Sequence, residues 1–137
     1  MAEQRQELLM EVMKLLQQNY KHMLEINQLT KELADTLSRG DRESAGIFLK
    51  MRDGEMEKAD ENKWKIQAIL EAVDLKTREE LRALLNREDK RELPDFESKK
   101  ILEFSMKIQN VLEQTIALDK IVSRRLAGND SYYKAQK

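Results

Sequence analysis

Leu37-Ser38-Arg39-Gly40-Asp41 separates two long runs of helix-forming residues in the first half of the chain. Gly40 can adopt the left-handed backbone conformation that ends a helix, because it has no Cβ atom to clash there. Asp41 can begin the next helix, because its carboxylate can accept a hydrogen bond from a backbone N–H group of the first turn. The stretch therefore predicts a tight turn between antiparallel helices, and so an extended helical hairpin at the N-terminus.

On both sides of this turn, apolar residues recur at three- and four-residue steps, as on one face of an α-helix. The first helix is predicted over residues 4–38 and the second over residues 42–73. The second is weaker in its first half, where Gly54 lies inside it and Arg52 and Glu55 fall on the face that should be buried. We expect fraying or a bend there.

The second half of the chain is predicted to form one short and one long helix. Thr77-Arg78-Glu79-Glu80 is typical of a capping box that opens a short helix. Leu93-Pro94 predicts the next turn, because a residue before proline is displaced from helical geometry. With a last helix over residues 95–127, the fold class is all-α: an up-and-down antiparallel bundle of three long helices with one short extra helix. We expect a single domain over residues 1–128 and a flexible tail over residues 129–137.

The composition limits the classes of function. The 25 Lys and Arg residues nearly balance the 26 Asp and Glu residues, so no strong field exists to hold nucleic acid, and no such partner is expected. The chain has no cysteine for disulfides or thiolate metal sites. Its apolar runs are far shorter than the roughly 20 residues of a membrane span, and its N-terminus lacks the apolar core of a signal peptide. We expect a cytoplasmic protein without membrane insertion.

No catalytic set is evident in the sequence. The single histidine, His22, has no cysteine to activate, and one histidine cannot supply the two Glu-Xaa-Xaa-His pairs of a di-iron bundle. His22 lies near the edge of the apolar face of the first helix, so a packing or surface role is the simpler interpretation. The chain is not predicted to be an enzyme, and no cofactor or metal is expected.

Three residues fit the helical pattern poorly, and each leaves two interpretations open. Asn19 falls in the middle of the apolar face of the first helix. Either its amide is buried and fixes the register of the helices, or the end of the bundle is splayed and the side chain is hydrated. Asp119 lies between apolar positions of the last helix and needs either a partner or water. Trp64 projects away from the apolar face of the second helix. Either the short helix folds over it, which is the simpler interpretation, or it anchors a partner.

The last helix carries more apolar surface than one packing face can use. An ordinary surface helix has an apolar stripe of roughly 100°, whereas the apolar residues here spread over about half the circumference or more. An exposed apolar groove rimmed by charge can hold an amphipathic partner helix, although a homodimer could bury the same strip. We therefore expect a protein partner, and either a monomer or a homodimer. The candidate partner-binding residues are Leu102, Met106, Val111, Leu112, Ile116, Leu118, Val122 and Leu126.

The chain resembles the FlgN family of flagellar type III export chaperones in its size and helical organisation. Leu37-Ser38-Arg39-Gly40-Asp41 is similar to the family's Leu-Xaa-Xaa-Gly-Asp turn between its two opening helices. The ending, from Asn110-Val111-Leu112 through Leu126-Ala127-Gly128-Asn129-Asp130-Ser131-Tyr132, is similar to a last helix that closes on a Leu-Xaa-Gly step before a tail with a tyrosine. The organisation agrees over nearly the whole chain. The tail departs from the family because no glycine follows the tyrosine.

This resemblance implies a cytoplasmic chaperone that binds the amphipathic C-terminal segments of hook–filament junction proteins and delivers them to the type III export apparatus. It also implies that the tail contacts the export gate through Tyr132, although Tyr132 and Tyr133 could instead pack on the end of the bundle. A segment destined to form a coiled coil outside the cell is at risk of aggregation inside it. A helix face of the chaperone would cover the apolar stripe of this segment. The alternative function is a structural helical adaptor that self-associates through its C-terminal helix.

Overall fold

In its computed structural model, the described part of the chain forms four α-helices: α1 Ala2–Ser38, α2 Arg42–Ala72, α3 Leu75–Leu85 and α4 Phe96–Ala135. The structure describes residues 2–88, 93 and 95–135, with side chains for residues 3–88, 93 and 95–127. Three long helices and one short helix, with no strand in these residues, confirm the predicted all-α class and architecture. Within the same residues, no helix combines the length and apolar composition needed to cross a membrane.

The turn between α1 and α2 forms as predicted. Gly40 has a φ of +73°, in the left-handed region, and the Asp41 N–H donates to the Thr36 carbonyl at 2.9 Å. Asp41 is the N-cap of α2, where its Oδ1 accepts a hydrogen bond from the Ser44 N–H at 3.1 Å. Hydrogen bonding with Ser44 lowers the pKa of the Asp41 carboxyl. The chain therefore reverses within three residues and starts α2 with a capped first turn.

Polar side chains join α1 to α2 in the middle of the hairpin. Asn19 is buried; its Nδ2 donates to the Ala59 carbonyl at 3.2 Å, and its Oδ1 accepts from Asn62 Nδ2 at 2.9 Å. His22 Nδ1 lies 2.7 Å from Glu55 Oε2. Later residues of α1 thus pair with earlier residues of α2, as antiparallel packing requires. Of the two interpretations left open for Asn19, the structure shows the buried amide.

α4 packs on another side of α1 and runs parallel to it. Gln6 Nε2 donates to Glu97 Oε1 at 3.4 Å, and further along Asn27 Nδ2 donates to Thr115 Oγ1 at 2.9 Å. α2 and α4 both pack extensively on α1 but make few or no close contacts with each other. The surface of α1 between them is therefore available to other elements.

Among the described residues, two apolar clusters hold the helices together, one at each end of the bundle. The smaller cluster, next to the α1–α2 turn, is built on Leu33, Ala45 and Val122. The larger one, where α1 begins, draws on all four helices, and α3 contributes Leu81 and Leu84 to it while packing against α2 and α4. The buried members of the larger cluster are Leu9, Val12, Leu15, Leu16, Ile66, Leu70, Leu81, Leu84 and Ile101.

The start of α3 differs from the prediction. Asp74 is the N-cap, and its carboxylate accepts hydrogen bonds from the Thr77 N–H at 3.2 Å and the Thr77 hydroxyl at 2.7 Å. Thr77 is therefore inside the helix, and Glu80 forms an ion pair with Arg5 at 2.9 Å instead of closing a capping box. The aspartate takes the capping position because α2 ends at Ala72 with Val73 as its C-cap, so Asp74 is the first residue free to cap α3, which begins at Leu75.

The end of α4 also differs from the prediction. The helix continues past Gly128 to Ala135, because a glycine lowers helix propensity without by itself ending a helix. The side chain of Tyr132, and with it the predicted contact to an export gate, lies outside the described side chains. The proposed boundary between domain and tail stays a prediction.

Candidate binding site

An open trough lies between α2 and α4, with α1 as its floor. It has a volume of about 280 Å³. Its floor and centre are apolar, and charged groups lie along its walls. We call this feature the trough. Its lining residues are Met23 and Ile26 from α1, Arg52, Met56, Ala59, Asp60 and Lys63 from α2, and Leu112, Thr115, Ile116 and Asp119 from α4.

At the other end of the bundle, α3 covers the corresponding surface. Ser98, Ser105, Leu112 and Ile116 follow one another on α4 at steps of seven, seven and four residues, so they share one face of the helix. Ser98 and Ser105 are 3% and 5% exposed, whereas Ile116 is 46% exposed. Because α3 packs against both α2 and α4, the trough continues a groove that one amphipathic helix already occupies.

An ion pair crosses the trough from α2 to α4. Arg52 Nη1 lies 2.7 Å from Asp119 Oδ1 and 3.4 Å from Thr30 Oγ1 of α1, so the arginine links three helices. Arg52 is therefore the partner that Asp119 was expected to need. Within the described part of the chain, the buried Nε atom of Arg52 has no hydrogen-bond partner. The ion pair links the two walls of the trough at this one position, and it leaves the Nε–H group of the arginine without a hydrogen-bond acceptor.

α2 is continuous through the segment where fraying or a bend was predicted. The helix runs unbroken from Arg42 to Ala72, so the predicted fraying is wrong. Each inward-facing charge finds a polar partner on a neighbouring helix: Arg52 pairs with Asp119 of α4, and Glu55 lies within hydrogen-bond distance of His22 of α1. The hydrogen bond with His22 is the main cause of a lowered pKa for the Glu55 carboxyl. An inward charge is tolerated when it is paired in this way.

The residues predicted to bind a partner do not form one surface. Leu112 and Ile116 line the trough. Val111 and Val122 are buried, so they cannot reach a partner while α4 stays packed in the bundle. Met106 is exposed but does not line the trough. The apolar arc of α4 is therefore divided between packing inside the protein and surface that stays accessible.

The remaining predicted residues lie at the edges of the packed core. Leu102 and Leu126 pack against the larger and the smaller apolar cluster, respectively. Leu118 is half-buried and lies outside the lining of the trough. The sequence shows how much apolar surface α4 has, but the share that α1 and α3 cover depends on how the helices are rotated against each other.

Trp64 is exposed, and α3 does not cover it. Its exposed fraction is 71%, while Leu81 and Leu84 of α3 are turned into the larger apolar cluster. The simpler interpretation of this tryptophan is therefore wrong. Trp64 directly follows Lys63 at the wall of the trough, and its role as an anchor for a partner stays a prediction.

Sequence reasoning missed the floor and the α2 wall of the trough. Met23 and Ile26 lie on the apolar face of the first helix, and Met56 lies at the margin of the second. Their apolar character was visible, but nothing in one helix indicates that its neighbours leave part of its face uncovered. The one available signal was the surplus of apolar surface on α4.

The residues that line the trough are suited to contact a partner surface that is apolar in its centre and polar at its edges. Among the described residues, no group of His, Asp or Glu side chains could hold a metal ion. Comparisons with protein-family models, with curated proteins and with solved structures find no match for this chain.

Proposed function

We propose that the protein binds an amphipathic helical segment of another protein in the trough and acts as a cytoplasmic export chaperone. The geometry of the trough supports helix binding. The resemblance to the FlgN family suggests the client, namely the C-terminal segments of hook–filament junction proteins. In this proposal, the protein holds these segments until they reach the type III export apparatus.

The main support is that α3 already covers the other end of the same groove. α3 has 11 residues and buries Leu81 and Leu84, which are three residues apart, as an amphipathic helix does. Beyond α3, the groove continues over an apolar lining with Ile116 and Met56 exposed. A helix with apolar residues at similar steps would bury this lining as α3 buries the other end.

Binding of this kind suits a chaperone, because it is reversible and needs no covalent step. An amphipathic segment with an uncovered apolar stripe is prone to associate with its own kind. Met23 and Met56 have flexible thioether side chains that can adapt to different apolar surfaces. The trough could therefore accept several related clients.

Calorimetric titration of the full-length protein with synthetic C-terminal peptides of hook–filament junction proteins from the same organism tests the proposal. We expect binding with a negative heat-capacity change, because apolar surface is removed from water. Ile116→Asp should weaken this binding by about tenfold or more, because a carboxylate would be buried under the client.

Ile121→Asp is the matched control on the same helix. Ile121 is also exposed, but five residues place it about 140° around the helix from Ile116. The control should bind as the unmodified protein does. Absence of binding with every peptide, or equal losses in both variants, would contradict a client site in the trough.

The second candidate is the self-associating adaptor. The exposed side chains of Met106 and Ile121 on α4 favour it, since neither lines the trough. A mass that stays monomeric over a wide concentration range in light scattering would exclude the adaptor. A dimer that dissociates when Ile121 is changed to Asp would support it.

A further inference from the structure

The charged residues of the trough are ordered along its length. The end nearer the α1–α2 turn carries Asp119 and Arg52, and Lys63 lies toward the end occupied by α3. Lys63 follows Arg52 by eleven residues, or about 16 Å of helix. Asp60 lies between them, one turn before Lys63. The end nearer the turn therefore presents a carboxylate, whereas the end toward α3 presents the ammonium group of Lys63 with the Asp60 carboxylate one turn before it.

The accessible charge at the end nearer the turn is negative. The Arg52 side chain is only 12% exposed, whereas that of Asp119 is 46% exposed. Oδ1 of Asp119 binds Arg52, and its Oδ2 has no hydrogen-bond partner among the described residues. A group that enters the trough there meets a carboxylate oxygen, and about three turns away it meets the ammonium group of Lys63.

We infer that the trough orients the docked helix, with its N-terminal turn at Asp119 and its C-terminal turn at Lys63. This inference rests on the proposed function. A helix carries a partial positive charge at its N-terminus and a partial negative charge at its C-terminus. Its first N–H groups lack partners within the helix, so Asp119 Oδ2 can accept from one of them or from a basic side chain in the first turn. The client helix then runs antiparallel to α4.

The length of the docked segment is limited by α3 at one end of the trough and by the ion pair of Arg52 and Asp119 at the other. At one end α3 packs over the groove, where Ser98 and Ser105 are buried, and at the other end the ion pair of Arg52 and Asp119 crosses it. Fourteen residues of α4 separate Ser105 from Asp119, which corresponds to about 21 Å. The partner is therefore an amphipathic helix of about four turns, with apolar residues at three- and four-residue steps and no acidic residue in its first turn.

Trp64 is an intrinsic probe of this orientation. It is the only tryptophan of the chain, it is exposed, and it directly follows Lys63. The ligand for the test is a synthetic amphipathic peptide of about 14 residues with leucines at three- and four-residue steps, carrying a nitroxide at either its N-terminus or its C-terminus. Because a nitroxide quenches tryptophan only at short range, the C-terminal label should quench Trp64 fluorescence at least about twice as strongly as the N-terminal label.

Affinity measurements on charge variants complete the test. Asp119→Asn keeps an oxygen for Arg52 but removes the charge, so it should weaken binding of the peptide by about two- to fivefold at low ionic strength. Asp53→Asn is the matched control, because Asp53 is exposed on α2 and does not line the trough. The control should leave the affinity unchanged.

The outcomes separate this inference from the proposed function. Equal quenching by the two labels, or stronger quenching by the N-terminal label, would overturn the orientation and leave helix binding intact. Equal affinities of the Asp119→Asn and Asp53→Asn variants would also overturn it. If neither this peptide nor any junction-protein peptide binds, the proposed function fails and the inference fails with it.

Discussion

Buried amides in the middle of the hairpin fix α1 and α2 in one register. Asn19 and Asn62 are both buried and bind each other. A shift of α2 along α1 by one turn would leave both amides buried without these partners, at a cost of about 1–3 kcal/mol each. A single polar position of this kind specifies register in helical pairs. The pair therefore matters more for the choice of structure than for its net stability.

Asn19→Ala should lower the free energy of unfolding by about 1–3 kcal/mol, because Asn62 loses its closest acceptor. Urea denaturation followed by circular dichroism measures this change. The double variant Asn19→Ala/Asn62→Ala should cost less than the sum of the two single variants, because no unpaired amide of the pair then remains. Strictly additive costs would show that the two side chains are not coupled.

The pair of Glu55 and His22 should make stability depend on pH in the acid range. The hydrogen bond with His22 holds the pKa of Glu55 below the ordinary 4.5. A group with a lowered folded-state pKa contributes stability above its unfolded pKa, and this contribution is lost as the pH falls through the folded pKa. Glu55→Gln should therefore lower the Tm at about pH 6 and have a diminishing effect below about pH 4. A difference in Tm that stays constant from pH 6 to pH 3 would contradict this role.

At the scale of elements, the first turn could be predicted because its determinants are local. The positive φ of Gly40 and the capping by Asp41 depend only on their own backbone and the next few residues. The first residue of α3 was harder to predict from the sequence, because both Asp74 and Thr77 can cap a helix. The position where α2 ends decides between them. Local chemistry therefore determines the turn between α1 and α2, whereas the start of α3 depends on the surrounding structure.

Two glycine variants test the helix boundaries with the same change of side chain. Gly54→Ala should stabilise the protein by about 0.5–1 kcal/mol, because Gly54 lies inside α2 and an added Cβ meets no atom within 4 Å. Gly40→Ala should destabilise it by about 1–2 kcal/mol, because alanine disfavours a φ of +73°. Thermal unfolding measures both changes. A shift of Tm in the same direction for both variants would contradict this assignment of the turn and of α2.

Only part of the site could be predicted from the elements taken one at a time. The residues selected from the surplus of apolar surface on α4 include Leu112 and Ile116, which line the trough, but also Val122, which is buried. The exposure of Trp64 and the contact between Arg52 and Asp119 depend on how each helix is rotated against its neighbours. Helical periodicity gives the width of an apolar face and not the identity of what covers it.

The whole molecule is a bundle in which the fourth position is only half filled. α2 and α4 flank α1 and make little contact with each other. The short helix α3 covers the space between them at one end, and the trough remains at the other. A client helix would complete the bundle over its remaining length. Under the proposed function, this geometry would let the protein take up a helix without a large rearrangement.

The measurement that tests this account most directly is an NMR titration of protein labelled with ¹³C at its methionine methyl groups, using a junction-protein peptide as ligand. Met23 and Met56 line the trough, whereas Met51 and Met106 are exposed outside it. Binding in the trough predicts that the methyl signals of Met23 and Met56 shift and that those of Met51 and Met106 do not. Shifts confined to Met51 and Met106, or no shift at all, would contradict the trough as the client site.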